Sequence, residues 1–188
     1  MDYMNYKKSR NLAWEILLSE GVTELPVMVG RICTQMGIKV LYFDAPEGES
    51  DGYCLVAAGR PRIYVARGRS RARQRFTAAH ELGHILLGHA GKFDLVNREP
   101  AEGDNPIEHD ANVFASRLLA PACVLWALDA HTPEEIADLC QISHQAAVFR
   151  AKRMELLYQR GKFLTSPLEQ AVYRQFLPYI QRIKAQRP

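Results

Sequence analysis

Residues 72–87, ARQRFTAAHELGHILL, decide how the chain is read. Apolar residues recur there at the three- and four-residue spacing of a helix, so Phe76, Ala79, Leu82, Gly83 and Leu86 can share one packed face. The same stretch carries His80 and His84, which a helix brings to one face about a turn apart. Two imidazoles so spaced can grip one zinc ion at tetrahedral angles. Glu81 points off the line of the two ligands but stays near the open metal position. There it can take a proton from an attacking water and later deliver one to a leaving amine. Two incidental surface histidines are the poorer reading. Leu82, Ile85, Leu86 and Leu87 make this a core helix, where unpaired imidazoles would need partners.

A catalytic zinc site needs a third protein ligand and one open position. His89, Asp94, Glu99, Glu102, Glu108, His109 and Asp110 all lie downstream. Glu108 is preferred because it falls in the first turn of a helix whose start is marked by Asn105 and Pro106. Asn112, four residues on along the same face, is expected to accept the spare ring N–H of a ligand histidine. Asp110 is the next choice of ligand. His89 reads as a histidine at a helix C-terminus, interacting with the dipole rather than with a metal. His109 can face either the cleft or the surface. Zinc is the default ion, although other divalent ions can occupy a set of two histidines and a glutamate.

Outward from this core, the N-terminal side reads as helices over Leu12–Ser19 and Pro26–Met36, then a strand over Ile38–Phe43. Tyr53–Ala58 and Arg62–Ala66 are β-like runs joined by a short turn and suggest a hairpin. Residues 92–103 read as a loop. On the C-terminal side the start signal seen at Asn105-Pro106-Ile107-Glu108 returns twice, at Thr132-Pro133-Glu134-Glu135 and Ser166-Pro167-Leu168-Glu169. Ser143 is expected to cap a further helix reaching Gln159. The fold class is therefore α+β: N-terminal helices, a small antiparallel sheet, a central helix bearing the two histidines and an all-helical C-terminal region. Residues 1–125 are expected to form a metallopeptidase domain and residues 126–188 a helical region.

Bulk properties exclude little. The 188 residues suit one domain with an appendage, and a net charge of +3 names no partner. Cys33, Cys54, Cys123 and Cys140 form no closely spaced pair and are expected to be buried, reduced thiols. The longest apolar run, Leu118–Leu128, is too short to span a membrane and contains Pro121. With no signal peptide evident, a cytoplasmic protein is expected.

Taken together, RQRFTAAHELGHILLGH and the downstream IEHDANVFASRLLAP resemble the ImmA/IrrE family of metallo-endopeptidases. The family pattern joins the two-histidine motif, often trailed by another histidine, to a stretch matched here by Glu108, Ala111, Asn112, Phe114, Ala115, Leu118, Leu119 and Pro121. Ala120 stands where the family often has methionine. The resemblance covers roughly residues 20–160 and implies a cytoplasmic, gluzincin-type zinc protease with ligands at His80, His84 and Glu108 and a base at Glu81. It also implies a protein substrate, a helix-turn-helix transcriptional repressor of a prophage, mobile element or stress regulon.

Two features sit outside this site. Residues 134–154, EEIADLCQISHQAAVFRAKRM, resemble a helix-turn-helix, with Gln141 where the turn usually has glycine. His144, Gln145, Arg150, Lys152 and Arg153 are expected on the exposed face of its second helix, where they could reach phosphates or base edges. Arg60, Arg62, Arg67, Arg69, Arg71, Arg73 and Arg75 form a basic stretch with no intervening acid, read first as a solvated face. The alternative function is thus a DNA-binding regulator with a sensory or vestigial metal site. The peptidase is favoured over it, because a structural zinc is normally closed by four protein ligands and needs no carboxylate beside them; nucleic acid is a possible but not the favoured partner. Tyr64, His109 or an arginine could donate to an oxyanion.

Overall fold

The structure, a computed structural model, describes residues 3–46, 48–90 and 105–186. The predicted loop over residues 92–103 and the candidate ligands Asp94, Glu99 and Glu102 lie outside the described residues. In chain order the elements are α1 (Tyr3–Ser19), α2 (Val29–Gln35), β1 (Lys39–Phe43), β2 (Gly52–Ala57), β3 (Arg60–Ala66), α3 (Arg71–Leu86), α4 (Pro106–Leu119), α5 (Ala122–Ala127), α6 (Pro133–Cys140), α7 (His144–Gln159) and α8 (Pro167–Gln186). The α+β class is as expected. Two compact units divide the chain, one of residues 1–9 and 28–115, the other of residues 10–27 and 116–188.

In the first unit a three-stranded sheet has the order β1-β3-β2. β2 and β3 form the predicted antiparallel hairpin, Tyr53 opposite Tyr64. β1 instead runs parallel to β3, Leu41 opposite Tyr64, so the sheet is mixed rather than antiparallel. Period-two alternation tells which face of a strand is buried, not which neighbour it takes, and a strand need not pair with the one that follows it in sequence. The central strand β3 turns Ile63 and Val65 inward, 0% and 1% exposed. α3 packs against β2 and β3. The approach is close at Gly52, where a Cβ would run into the Tyr64 carbonyl and the Thr77 methyl.

The basic stretch is partly consumed in this unit. Asp51 pairs with both Arg69, at 2.8 Å, and Arg73, binding the loop before β2 to the start of α3. Arg67 reaches Asp44 at 3.7 Å. These arginines therefore have intramolecular acids, although no acid lies among them in sequence.

The second unit is helical. Leu118, Leu125, Leu128, Ile136, Val172 and Phe176 are all fully buried in it. The Gln175 amide donates to the carbonyls of Leu17 and Val22, each at 2.7 Å, joining α8 to the last turn of α1 and the segment after it. α5 lies within the apolar run; because nearly every residue of α5 is buried, no amphipathic period announced it. At α6, Thr132 accepts from the Glu135 amide while Glu135 accepts from Thr132, a complete capping box. Thr132→Ala is expected to lower stability by about 1 kcal/mol in urea unfolding and to leave metal binding unchanged.

α6 and α7 adopt the predicted helix–turn–helix pairing, with Gln141 in the left-handed conformation (φ 49°) that glycine usually supplies. The expected outer face of α7 needs correction at Arg150 and at Arg153, which is half-buried with its Nε shut off from solvent. Arg150 is 1% exposed, whereas Phe149 is 66% exposed. Arg150 lies one helical turn before the buried Met154 and one after the buried Ala147, on the same inward line. The four cysteines are free. Burial pushes the Cys33 and Cys123 thiols up to about 12, which makes them unreactive, while Cys54 is only half-buried.

Candidate metal centre

The N-cap of α3 is Ser70, whose side chain accepts from the Arg73 amide. The packed part of the helix is Thr77–Ala79 with Glu81–His84; Phe76 and Leu86, expected at its centre, are half-buried. His84 and Glu81 are thus inside the protein, at 4% and 1% exposed.

α4 starts where Asn105 accepts from the Ile107 amide at 3.1 Å, and this fixes Glu108 in the first turn. Its carboxylate lies 3.0 Å from His80 Nε2 and 3.3 Å from His84 Nε2. The two Nε2 atoms are 2.9 Å apart. His80, His84 and Glu108 could hold a metal ion, each offering one ligand atom to a common point. Asp110, His109 and His89 are outside this group, and among the described residues no other such group occurs.

The chemistry of the donors tests whether an ion fits. His80 Nδ1 lies 3.0 Å from Asn112 Oδ1, an atom that can only accept. The ring proton therefore sits on Nδ1, and the Nε2 lone pair faces His84 and Glu108. Three lone pairs aimed at one point repel one another unless a cation lies among them. An ion held at about 2.0–2.1 Å by tetrahedral donors separates those donors by about 3.3 Å, close to the spacings here. The two imidazoles hold the Glu108 carboxyl well below the usual carboxylate range, so it is an anionic donor.

A family model described as the IrrE N-terminal-like domain, of a peptidase family, matches residues 33–152. The chain belongs to the ImmA/IrrE family of metallopeptidases. No curated protein matches it. The residues matched to the family include all of β1–β3, α3 and α4, and hence every member of the metal-binding group.

Two further residues shape the surroundings of this group. Gly83 lets α4 approach α3: a Cβ there would lie 2.9 Å from Phe114 Cδ1 and 3.3 Å from Phe114 Cβ. Phe114 is fully buried and shares α4 with Glu108 and Asn112. Gly83→Ala should cost roughly 1–3 kcal/mol by overpacking and should weaken zinc binding, read by denaturant unfolding and by chelator competition. The second is His89, whose Nδ1 lies 3.2 Å from His84 Nδ1. Its position at the end of α3 suits a helix-end histidine, and sequence spacing does not announce its contact with His84. Burial, then the charge of His84, lowers its pKa. His109 lies outside the converging group, and its Nε2 is shut off from solvent with no hydrogen-bond partner among the described residues.

Proposed function

We propose that the chain is a zinc-dependent endopeptidase of gluzincin type, acting in the cytoplasm on a helix-turn-helix transcriptional repressor. The carrying observation is the convergence of His80 Nε2, His84 Nε2 and the Glu108 carboxylate, with Glu81 next to the first ligand and outside the group. Three protein ligands leave a position open, as a catalytic site requires, whereas a structural zinc is normally closed by four.

Zinc, when bound, supplies Lewis acidity at that open position. His80 and His84 present unprotonated Nε2 atoms, and Glu108 contributes the charge. Asn112 fixes the His80 tautomer and ring plane. Glu81 takes the proton of the attacking water and passes it to the nitrogen of the leaving amine, so it serves first as base and then as acid. Its burial keeps bulk water from competing for that proton. No helix among the described residues is long and apolar enough to cross a membrane, which is in keeping with a cytoplasmic protein substrate. We assign catalysis to residues 1–125 and regard residues 126–188 as a helical region that packs or docks substrate.

A repressor substrate is supported by membership of the family, and the exposed face of α7 does not favour the DNA-binding alternative. That face offers Phe149 and Leu156, 66% and 40% exposed, while Arg150 is withdrawn. The test is incubation of the zinc-loaded chain with a helix-turn-helix repressor encoded beside it, with and without chelator. Zinc-dependent cleavage is expected. If no candidate repressor is cut, the substrate assignment fails and the metal site still stands. Saturable, salt-dependent DNA binding without any proteolysis would favour the regulator.

A further inference from the structure

We infer that His89 is a positioning residue for the ligand His84, and that the turn ending α3 is the device that puts it there. This rests on the reading of His84 as a metal ligand. The last helical residues are followed by Leu87 at the C-cap and by Gly88 at φ 74°. The Gly88 amide donates to the Ile85 carbonyl at 3.2 Å, and the His89 amide donates to the His84 carbonyl at 2.9 Å. These two bonds define a Schellman termination, in which the second residue beyond the C-cap folds back over the third residue before it. An apolar pair usually occupies those two positions. Here they are His89 and His84, and their Nδ1 atoms meet at 3.2 Å.

One of two facing Nδ1 atoms must carry the proton. If His84 offers its Nε2 lone pair to the metal point, as an imidazole ligand must, its proton is on Nδ1 and is donated to His89. His89 is then the acceptor, with its own proton on Nε2. Each ligand imidazole thus has an outer acceptor: Asn112 from α4 for His80, and His89 from the helix terminator for His84. The spacing that does this is His84–Gly88–His89. Glycine is needed because other residues take the left-handed conformation at a cost. Outer partners of this kind fix ring orientation and raise ligand basicity, and their loss weakens metal binding about 10–100-fold.

The experiment compares wild type, His89→Ala and His89→Gln by zinc competition with a chromophoric chelator, by melting of the metal-free proteins, and by long-range proton–nitrogen spectra of the histidines in the zinc-loaded proteins. Gln can supply an acceptor oxygen where Ala cannot. His89→Ala is expected to raise the zinc dissociation constant about 10–100-fold, with the melting of the metal-free protein unchanged. His89→Gln should recover part of that affinity. The wild-type spectrum should show the His84 proton on Nδ1. Zinc affinity in His89→Ala equal to wild type, or a His84 proton on Nε2, overturns the inference and leaves the metallopeptidase reading intact. A fall in metal-free melting that accounts for the lost affinity, with no rescue by His89→Gln, makes His89 merely structural and also overturns it. Wild-type protein that takes up no zinc overturns both readings together.

Discussion

Glu81→Gln should abolish proteolysis while leaving zinc content at the wild-type level. Positioned acid–base groups contribute about 10²–10⁴-fold to rate, and here one side chain serves two proton transfers, so the loss should lie at the upper end of that range. The substitution keeps shape and volume, which matters at a residue 1% exposed in the packed part of α3. It replaces an anion by a neutral amide that can still hold the attacking water by a hydrogen bond but cannot take its proton. Glu81 is not among the three converging donors, so chelator competition should give the wild-type affinity. Two measurements on one preparation decide the matter: bound zinc per chain and the rate of repressor cleavage. Wild-type cleavage by the variant would remove Glu81 from the chemistry. Loss of zinc would place it among the ligands instead.

The convergence of His80 and His84 is legible in sequence because it follows from helical geometry. The four-residue spacing of His80 and His84 needs nothing beyond a helix to become a shared point. Glu108 is more instructive. The same start signal occurs three times, at Asn105, Thr132 and Ser166, each followed by proline and, at the third helical position, by glutamate. Glu135 bonds back to the Thr132 amide at 2.9 Å, and Glu169 bonds back to the Thr165 amide at 3.1 Å. Glu108 has the same local pattern and turns its carboxylate to the two imidazoles. Local sequence therefore places the acid rigidly in all three helices, but only the packing of α4 on α3 tells which acid serves a metal.

What escaped the sequence escaped for related reasons. The parallel partner of β1 is set by tertiary packing, which strand periodicity does not encode. Arg150 is expected on the outer face of the second helix, yet its helical phase groups it with the buried Ala147 and Met154. The His89 contact required the backbone to reverse at Gly88. A glycine after an apolar helix announces the reversal, but not which two side chains it brings together.

Glu108→Ala is expected to abolish stoichiometric zinc binding and, with it, all zinc-dependent cleavage. Removal of a direct ligand should exceed the roughly 10–100-fold effect of losing an outer partner, because two imidazoles alone retain neither the charge nor the geometry of the site. The variant should nevertheless stay folded. Asn105 and Pro106 still begin α4, and among the described residues Glu108 makes no return bond to the backbone, so what the helix itself loses is an acid near its N-terminus, about 0.3–1 kcal/mol. Glu135→Ala and Glu169→Ala supply the contrast, since each deletes a return bond at an analogous helix start and should reduce stability without touching zinc. Ligand linkage gives a second readout: zinc at about 100 times its dissociation constant should stabilise wild type by about 2.7 kcal/mol and leave Glu108→Ala unmoved. Retention of one zinc per chain by Glu108→Ala would exclude it as the third ligand and turn attention to Asp110, one turn-fraction further along the same helix. Loss of zinc in Glu108→Ala but not in Asp110→Asn would establish that the metal is held between α3 and the first turn of α4, which is the juxtaposition that the close approach at Gly83 makes possible.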